Sequence, residues 1–152
     1  MTTTIRQISA AEARPLRAAV LRPGQSPERQ RYPGDDDPQT LHAGAFVGAG
    51  LAGVATLALD PPPGADDPRA WRLRGMAVAP AHQGRGLGRR LIEACVEHAR
   101  RRGGSQIWCL GRTGAAPFYR SLGFALLGAE FDLPESGPHY VMRLLLPSPS
   151  LE

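Results

Sequence analysis

Lysine and asparagine are missing from this chain, and each of its 18 basic residues is arginine. Without lysine there is no Gly-Lys-Ser/Thr and therefore no Walker loop, and the chain offers no lysine side chain for modification. Cysteine is scarce. Cys95 and Cys109 stand in apolar stretches with no CxxC spacing and no histidine cluster beside them. They read as small buried residues in a reducing compartment rather than as a disulfide or a metal site, with a nucleophilic Cys109 as the lesser alternative. No apolar run approaches the roughly 18 to 20 residues of a membrane span. The stretch Met1 to Ser9 lacks the apolar centre of a signal peptide. A cytoplasmic location with no membrane partner is therefore expected. Aromatic residues are only 6% of the chain, so the net charge of +4 has little to stack bases with. The arginines are dispersed and Asp35, Asp36 and Asp37 form an acidic run, which argues against a nucleic-acid partner. A small polyanion explains the local arginine clusters better.

What remains is an ordinary globular composition, 42% hydrophobic over 152 residues, enough for one domain. Thr2 to Ile8 reads as an edge strand. Ser9 caps a helix from Ala10 to about Leu21, with Glu12 completing a capping box and Pro15 shortening or kinking it. Arg22 to Gln39 reads as a long loop with one helical turn near Ser26 to Arg31. Leu41 to Val47 and Leu51 to Leu59 form a hairpin around Gly48-Ala49-Gly50. Trp71 to Val78 is a strand. Gly86 to Arg102 is a helix, because Leu87, Leu91, Ile92, Cys95, Val96 and Ala99 recur at helical spacing, and Gly103-Gly104 ends it. Gln106 to Gly111, apolar on both faces, is a central strand. Gly114 to Leu122 is a short helix, followed by strands from Phe124 to Leu133 and Tyr140 to Leu146. This order gives an α+β fold with one mixed sheet and helices on both faces. One domain is expected over residues 1–147 and a tail over 148–152, whose Leu151 and Glu152 read as a cloning scar.

The chemistry is concentrated between Met76 and Arg90, where a strand passes through Gly84-Arg85-Gly86-Leu87-Gly88 into a helix. The first N–H groups of a helix lack internal partners and carry the positive end of its dipole. Glycines let that backbone approach an anion, and Arg85, Arg89 and Arg90 add full charges. The combination describes a pyrophosphate cradle. The glycines are spaced GxGxG with Leu91 beyond, so the GxGxxG dinucleotide fingerprint does not fit. In the preceding strand Trp71 and Leu73 alternate with Arg72 and Arg74. After Gly75 the larger apolar residues, Met76 and Val78, fall on the formerly polar face. Either a β-bulge at Gly75-Met76 or burial on both faces explains that switch.

Gln83-x-x-Gly86-x-Gly88 resembles the coenzyme-binding signature of the GCN5-related N-acetyltransferases. Arg112 to Phe124, with Ala115, Phe118, Tyr119, Gly123 and Phe124, resembles that family's second pattern, although Arg112 stands where the family often has Asn. The region of Glu130-Phe131 and Gly137-Pro138-His139 resembles the bacterial ElaA-like subgroup. The resemblance implies a central mixed, mostly antiparallel sheet of six to seven strands, and acetyl-CoA as cosubstrate with no metal. It places the pantetheine arm on Met76, Ala77 and Val78, and the pyrophosphate on Gln83, Gly84, Arg85, Gly86, Leu87, Gly88 and Arg89. Further coenzyme contacts fall to Arg112, Ala115, Phe118 and Tyr119. It implies direct acetyl transfer to a primary amine of a small-molecule or peptide acceptor, with Tyr119 protonating the coenzyme A thiolate. Glu130, Glu135, His42 and His139 are candidates for the general base, and His139 has the most suitable chemistry. The alternative is a non-catalytic acyl-CoA-binding module. The family often dimerises, and Val141 to Leu146 reads equally as an interface strand or an internal one.

Overall fold

A computed structural model describes residues 2–134 and 136–147. The expected tail at 148–152 and Glu135 lie outside the described residues. The elements are β1 (Thr3–Gln7), α1 (Ala10–Leu16), β2 (Leu41–Val47), β3 (Gly50–Leu59), β4 (Ala70–Val78), α2 (Leu87–Arg101), β5 (Gln106–Arg112), α3 (Ala116–Ser121), β6 (Ala125–Leu133) and β7 (Gly137–Leu145). The strands form a seven-stranded sheet in the order β1-β2-β3-β4-β5-β7-β6. β4 and β5 run parallel, whereas β1/β2, β2/β3, β5/β7 and β6/β7 are antiparallel. The architecture is α+β with a mixed, mostly antiparallel sheet, in the element order read from the sequence.

Contacts gather the chain into two units. The first contains residues up to Leu59 together with Leu73–His98. Here Ser9 caps α1 in a reciprocal box with Glu12, at 2.9 and 3.0 Å. The helix expected to reach Leu21 stays α-helical only to Leu16 and widens to a π-helical turn over Arg17–Leu21. Pro15 lacks the N–H that an α-helix needs there, and the looser turn absorbs the defect. Ile8, Ala13, Phe46, Val54 and Ala77 form a core cluster on the α1 side of the sheet. α2 lies on the opposite face: a Cβ added at Gly53, next to Val54, would stand 3.1 Å from the Leu91 side chain.

Between α1 and β2 the long loop, with one 3-10 turn at Pro27–Arg29, is held by a buried polar network. Arg17 is fully buried and donates to both Asp35 carboxylate oxygens at 2.8 and 3.0 Å, to the Gln30 carbonyl and to the Thr56 hydroxyl. His42 bridges the Asp35 carbonyl through Nε2 and Thr56 through Nδ1. Burial works to raise the Asp35 carboxyl. The Arg17 hydrogen bonds, the Tyr32 N–H and the Arg17 charge outweigh it and hold Asp35 below the usual carboxylate range.

The second unit contains Asp60–Arg72 and the residues from Ala99 onward. β5 is buried from Gln106 through Cys109, as its two-sided apolar pattern requires. Its ladder with β4 covers Ala70–Arg72 opposite Gln106–Trp108 and ends there. Trp108 donates to the Asp60 carbonyl at 2.7 Å and carries Arg72 over its ring. The short helix begins later than expected, because Thr113–Ala115 forms a 3-10 turn before α3. Phe124 lies just outside β6, and the last strand starts at Gly137 rather than Tyr140. β7 is an interior strand between β5 and β6, so Val141 to Leu146 does not supply a free edge for an interface.

Breaking the Arg17–Asp35 pair leaves a buried charge unpartnered. Arg17→Met should cost about 3 to 5 kcal/mol, seen as a lower urea midpoint at unchanged slope, and Asp35→Leu in the same chain should restore much of it. Because the folded Asp35 value is depressed, its contribution is complete above the ordinary carboxylate range and is lost as pH falls through the folded value. Asp35→Asn should therefore flatten the acid limb of the stability profile below about pH 4, measured by urea titration at several pH values.

Candidate active site

The end of β4 changes faces. Arg74 stacks over the Tyr32 ring at 4.4 Å, on the side where Arg17 covers the same ring at 4.1 Å. Ala77 belongs to the cluster with Ala13 of α1, on that same side. A regular strand would send residues three apart to opposite faces. Val78 meanwhile lies with Leu91 of α2, since both approach the Cβ position of Gly53. One residue is therefore extra, and of the two readings of the sequence the bulge at Gly75-Met76 is the one realised. Gly75 has φ of 60°, and an added Cβ would stand 2.8 Å from Tyr32 Cε2 and 2.9 Å from Arg17 Nε. Both conformation and space require glycine.

β4 then turns through a 3-10 turn at Pro80–His82. The Ala79 N–H bonds the Ala52 carbonyl at 2.8 Å, and the Gln83 side-chain amide donates to the Val78 carbonyl at 3.0 Å. Gln83 thus braces the turn with its side chain. Gly84 and Gly86 have φ of 76° and 82°, and a Cβ on either would meet nothing within 4 Å, so the backbone there is open to a ligand. Leu87 is buried and anchors α2, whereas Gly84, Arg85, Gly86 and Arg89 are exposed. At this end of α2 the Arg90 N–H bonds the Gly86 carbonyl at 3.2 Å, and the first N–H groups of a helix have no partner within it. These features fit a pyrophosphate: the N–H groups of a helix start, open glycines, and Arg85 and Arg89 beside them. Arg90 departs from the expected cluster, since its guanidinium donates to the Thr3 carbonyl at 3.2 Å. A cleft of about 260 Å³ lined by Thr3, Val47, His82, Arg85 and Leu87 adjoins the turn.

In the other unit, β5 delivers the chain into α3. Tyr119 is 8% exposed, and Phe118 and Phe124 meet its ring edge-on, each at 5.3 Å. A hydrogen bond from Tyr119 works to lower the Cys109 thiol, and burial outweighs it. Arg112 is exposed, while Ala115 and Phe118 are half-buried on the same turn and helix. His139 stands opposite Arg112 in the β5–β7 ladder and opposite Phe131 in the β6–β7 ladder. It is buried and its Nδ1 donates to the Gly137 carbonyl at 2.8 Å, which leaves Nε2 as the basic nitrogen.

The other base candidates are engaged. Both ring nitrogens of His42 are bonded within the Arg17 network, and Glu130 accepts from the Thr113 hydroxyl at 2.8 Å. Asp35 is committed to Arg17 and Asp37 accepts the Gln39 N–H, so the acidic run is largely structural. Burial pushes Cys95 and Cys109 up to about 12, which removes Cys109 as a nucleophile. The sequence did not flag Tyr32 or Arg17 beside Gly75, or the Cys109 contact to Tyr119. Among the described residues no group of three or more His, Cys, Asp or Glu is placed to hold a metal ion, and no helix is long and apolar enough to cross a membrane.

Residues 5–124 match the profile of the acetyltransferase (GNAT) family. The chain is 31% identical over 138 residues to the uncharacterized N-acetyltransferase YitI of Bacillus subtilis, covering 91% of this chain and 93% of that one. Its fold resembles Escherichia coli ElaA with a TM-score of 0.76 at 19% identity, over 93% of this chain and 99% of that chain. It also resembles YncA of Salmonella typhimurium, solved with its cofactor acetyl-CoA, with a TM-score of 0.74 at 21% identity over 100% and 98% of the two chains.

Gly75→Ala should be destabilising by about 1 to 3 kcal/mol from the disfavoured backbone and the two contacts it forces. Thermal unfolding would show a lower midpoint, and wild-type stability would contradict the bulge assignment.

Proposed function

Because the chain belongs to the acetyltransferase (GNAT) family, we propose that it transfers the acetyl group of acetyl-CoA directly to a primary amine of a small molecule or peptide. The observation that carries this reading is the open turn at Gly84 and Gly86 leading into the N-terminus of α2. The amides from Gly84 to Gly88, with Arg85 and Arg89, bind the pyrophosphate. Met76, Ala77 and Val78, beyond the bulge, offer main-chain groups to the pantetheine arm in the manner of an added strand. Arg112, Ala115 and Phe118 make further coenzyme contacts.

The amine nitrogen attacks the thioester carbonyl, the new C–N bond forms and the C–S bond breaks. Tyr119 gives its phenolic proton to the departing sulfur. His139 Nε2, held in one tautomer by the Nδ1 bond to Gly137, takes the proton released by the amine. Main-chain groups around Met76 polarise the carbonyl in place of water.

Calorimetric titration separates coenzyme binding from chemistry. Wild type should bind acetyl-CoA and coenzyme A but not ATP, and Gly86→Glu, which sets a carboxylate against the phosphates, should abolish binding while remaining folded. Tyr119→Phe should bind the coenzyme as wild type does and lose roughly 10²-fold in kcat with an active amine. A wild-type chain that binds the coenzyme but acetylates no amine would favour the non-catalytic binding module.

A further inference from the structure

Gly75 sits at φ of 60°, and a glycine does not hold that conformation by itself. Lacking a Cβ, it is about as free at negative φ as at positive φ. What keeps β4 bulged must therefore come from outside the residue. Two side chains stand there. A Cβ added at 75 would lie 2.8 Å from Tyr32 Cε2, 2.9 Å from Arg17 Nε and 3.4 Å from Arg17 Cδ. The ring edge of Tyr32, a residue of the long loop, is thus wedged against the bulge.

The loop holds this ring from several directions. The Tyr32 N–H donates to Asp35 Oδ2 at 3.0 Å, and the Tyr32 carbonyl accepts the Asp35 N–H at 3.1 Å. Asp35 is pinned in turn by Arg17 at 2.8 and 3.0 Å. The guanidiniums of Arg17 and Arg74 stand over the ring, 4.1 and 4.4 Å from its centre. The ring cannot withdraw from Gly75 without giving up these contacts. Arg17 is fully buried and carries the ion pair, so its loss disturbs the whole network. Tyr32 is half-buried and is the member that can be changed with the least damage. All of these residues belong to the first unit.

We propose that Tyr32 is a positioning residue for acetyl transfer: its ring holds Gly75 in the bulge and so sets the main chain of Met76, Ala77 and Val78 for the pantetheine arm. This rests on the reading of those three residues as the seat of the arm. With the ring gone, residue 75 gains room and recovers the range of glycine conformations. The strand beyond it then loses its fixed register, and the thioester carbonyl loses its fixed place. The glycine turn lies further on, past the 3-10 turn at Pro80–His82. It is braced separately, by the Gln83 side chain on Val78 and the Ala79 N–H on Ala52. The pyrophosphate cradle therefore does not depend on Tyr32. The wedge is the ring edge and not the hydroxyl, so phenylalanine can replace it.

The test follows amide signals of 15N-labelled wild type, Tyr32→Ala and Tyr32→Phe during titration with acetyl-CoA, and measures kcat with one amine that wild type acetylates. In Tyr32→Ala the signals from Gln83 to Arg89 should still move, while those of Met76, Ala77 and Val78 should lose most of their response. Its kcat should fall roughly 10²-fold. Tyr32→Phe should behave as wild type in both. The wedge also predicts coupling: Gly75→Ala should lower the urea midpoint less in the Tyr32→Ala background than in wild type, because the ring that its Cβ would strike is gone. If Tyr32→Ala does not fold, Tyr32→Leu takes its place. Responses kept in full at Met76 to Val78, responses lost equally there and at the glycine turn, or a Phe variant as impaired as the Ala variant would each overturn the proposal. A folded wild type in which Met76 to Val78 never respond to acetyl-CoA would instead overturn the reading beneath it, and this proposal with it.

Discussion

A single left-handed residue, Gly75 at φ of 60°, determines how the end of β4 meets the rest of the structure. Before it the strand alternates regularly; after it the faces exchange, so that Ala77 enters the α1-side cluster and Val78 turns toward α2. A bulge sets two residues of its strand against one of the neighbour and sharpens the local bend, just before the chain enters the glycine turn. The β4–β5 ladder ends at Arg72 opposite Trp108, a few residues earlier. What keeps the bulge in place is packing rather than hydrogen bonding alone: Tyr32 and Arg17 occupy the space that a side chain at 75 would need.

Arg17 ties this local feature to the long loop. One buried guanidinium joins Asp35, the Gln30 carbonyl and Thr56, and it and the Arg74 guanidinium both stand over the Tyr32 ring. Such a network is expensive to bury and is tolerable only when nearly every donor finds an acceptor. The loop is therefore ordered by electrostatics as much as by apolar burial. The opposite arrangement holds at the α2 N-terminus, where the first N–H groups have no partner within the helix. In one place charge is consumed to build the fold, and in the other Arg85 and Arg89 remain exposed.

Much of this was legible in the sequence. Element order, the capping box at Ser9 and Glu12, the hairpin around Gly48-Ala49-Gly50 (whose second strand starts at Gly50 rather than Leu51), and the two-sided burial of β5 follow from local patterns that no tertiary contact overrides. The glycines at 84 and 86 were legible as a turn into the helix, and their φ of 76° and 82° gives the local reason for glycine there. Other features depend on contacts between residues far apart in sequence. Nothing local shows that His42 and Asp35 serve Arg17, that Gln83 turns back to Val78, or that Arg90 reaches Thr3. The choice between a bulge and two-sided burial at Gly75 required knowing which face Arg74 and Ala77 share. Pro15 signalled an irregular helix, but not that the irregularity takes the form of a π-helical turn over Arg17–Leu21. Tyr119 and Cys109 are ten residues apart, and nothing local shows that the tyrosine acts on that thiol.

The central claim is that the main chain after the bulge and the glycine turn together receive acetyl-CoA. Amide chemical shifts of 15N-labelled protein, followed during titration with acetyl-CoA, test it residue by residue. The account predicts the largest changes at Met76, Ala77 and Val78 and from Gln83 to Arg89. No change at these amides, or changes confined to other parts of the chain, would contradict it.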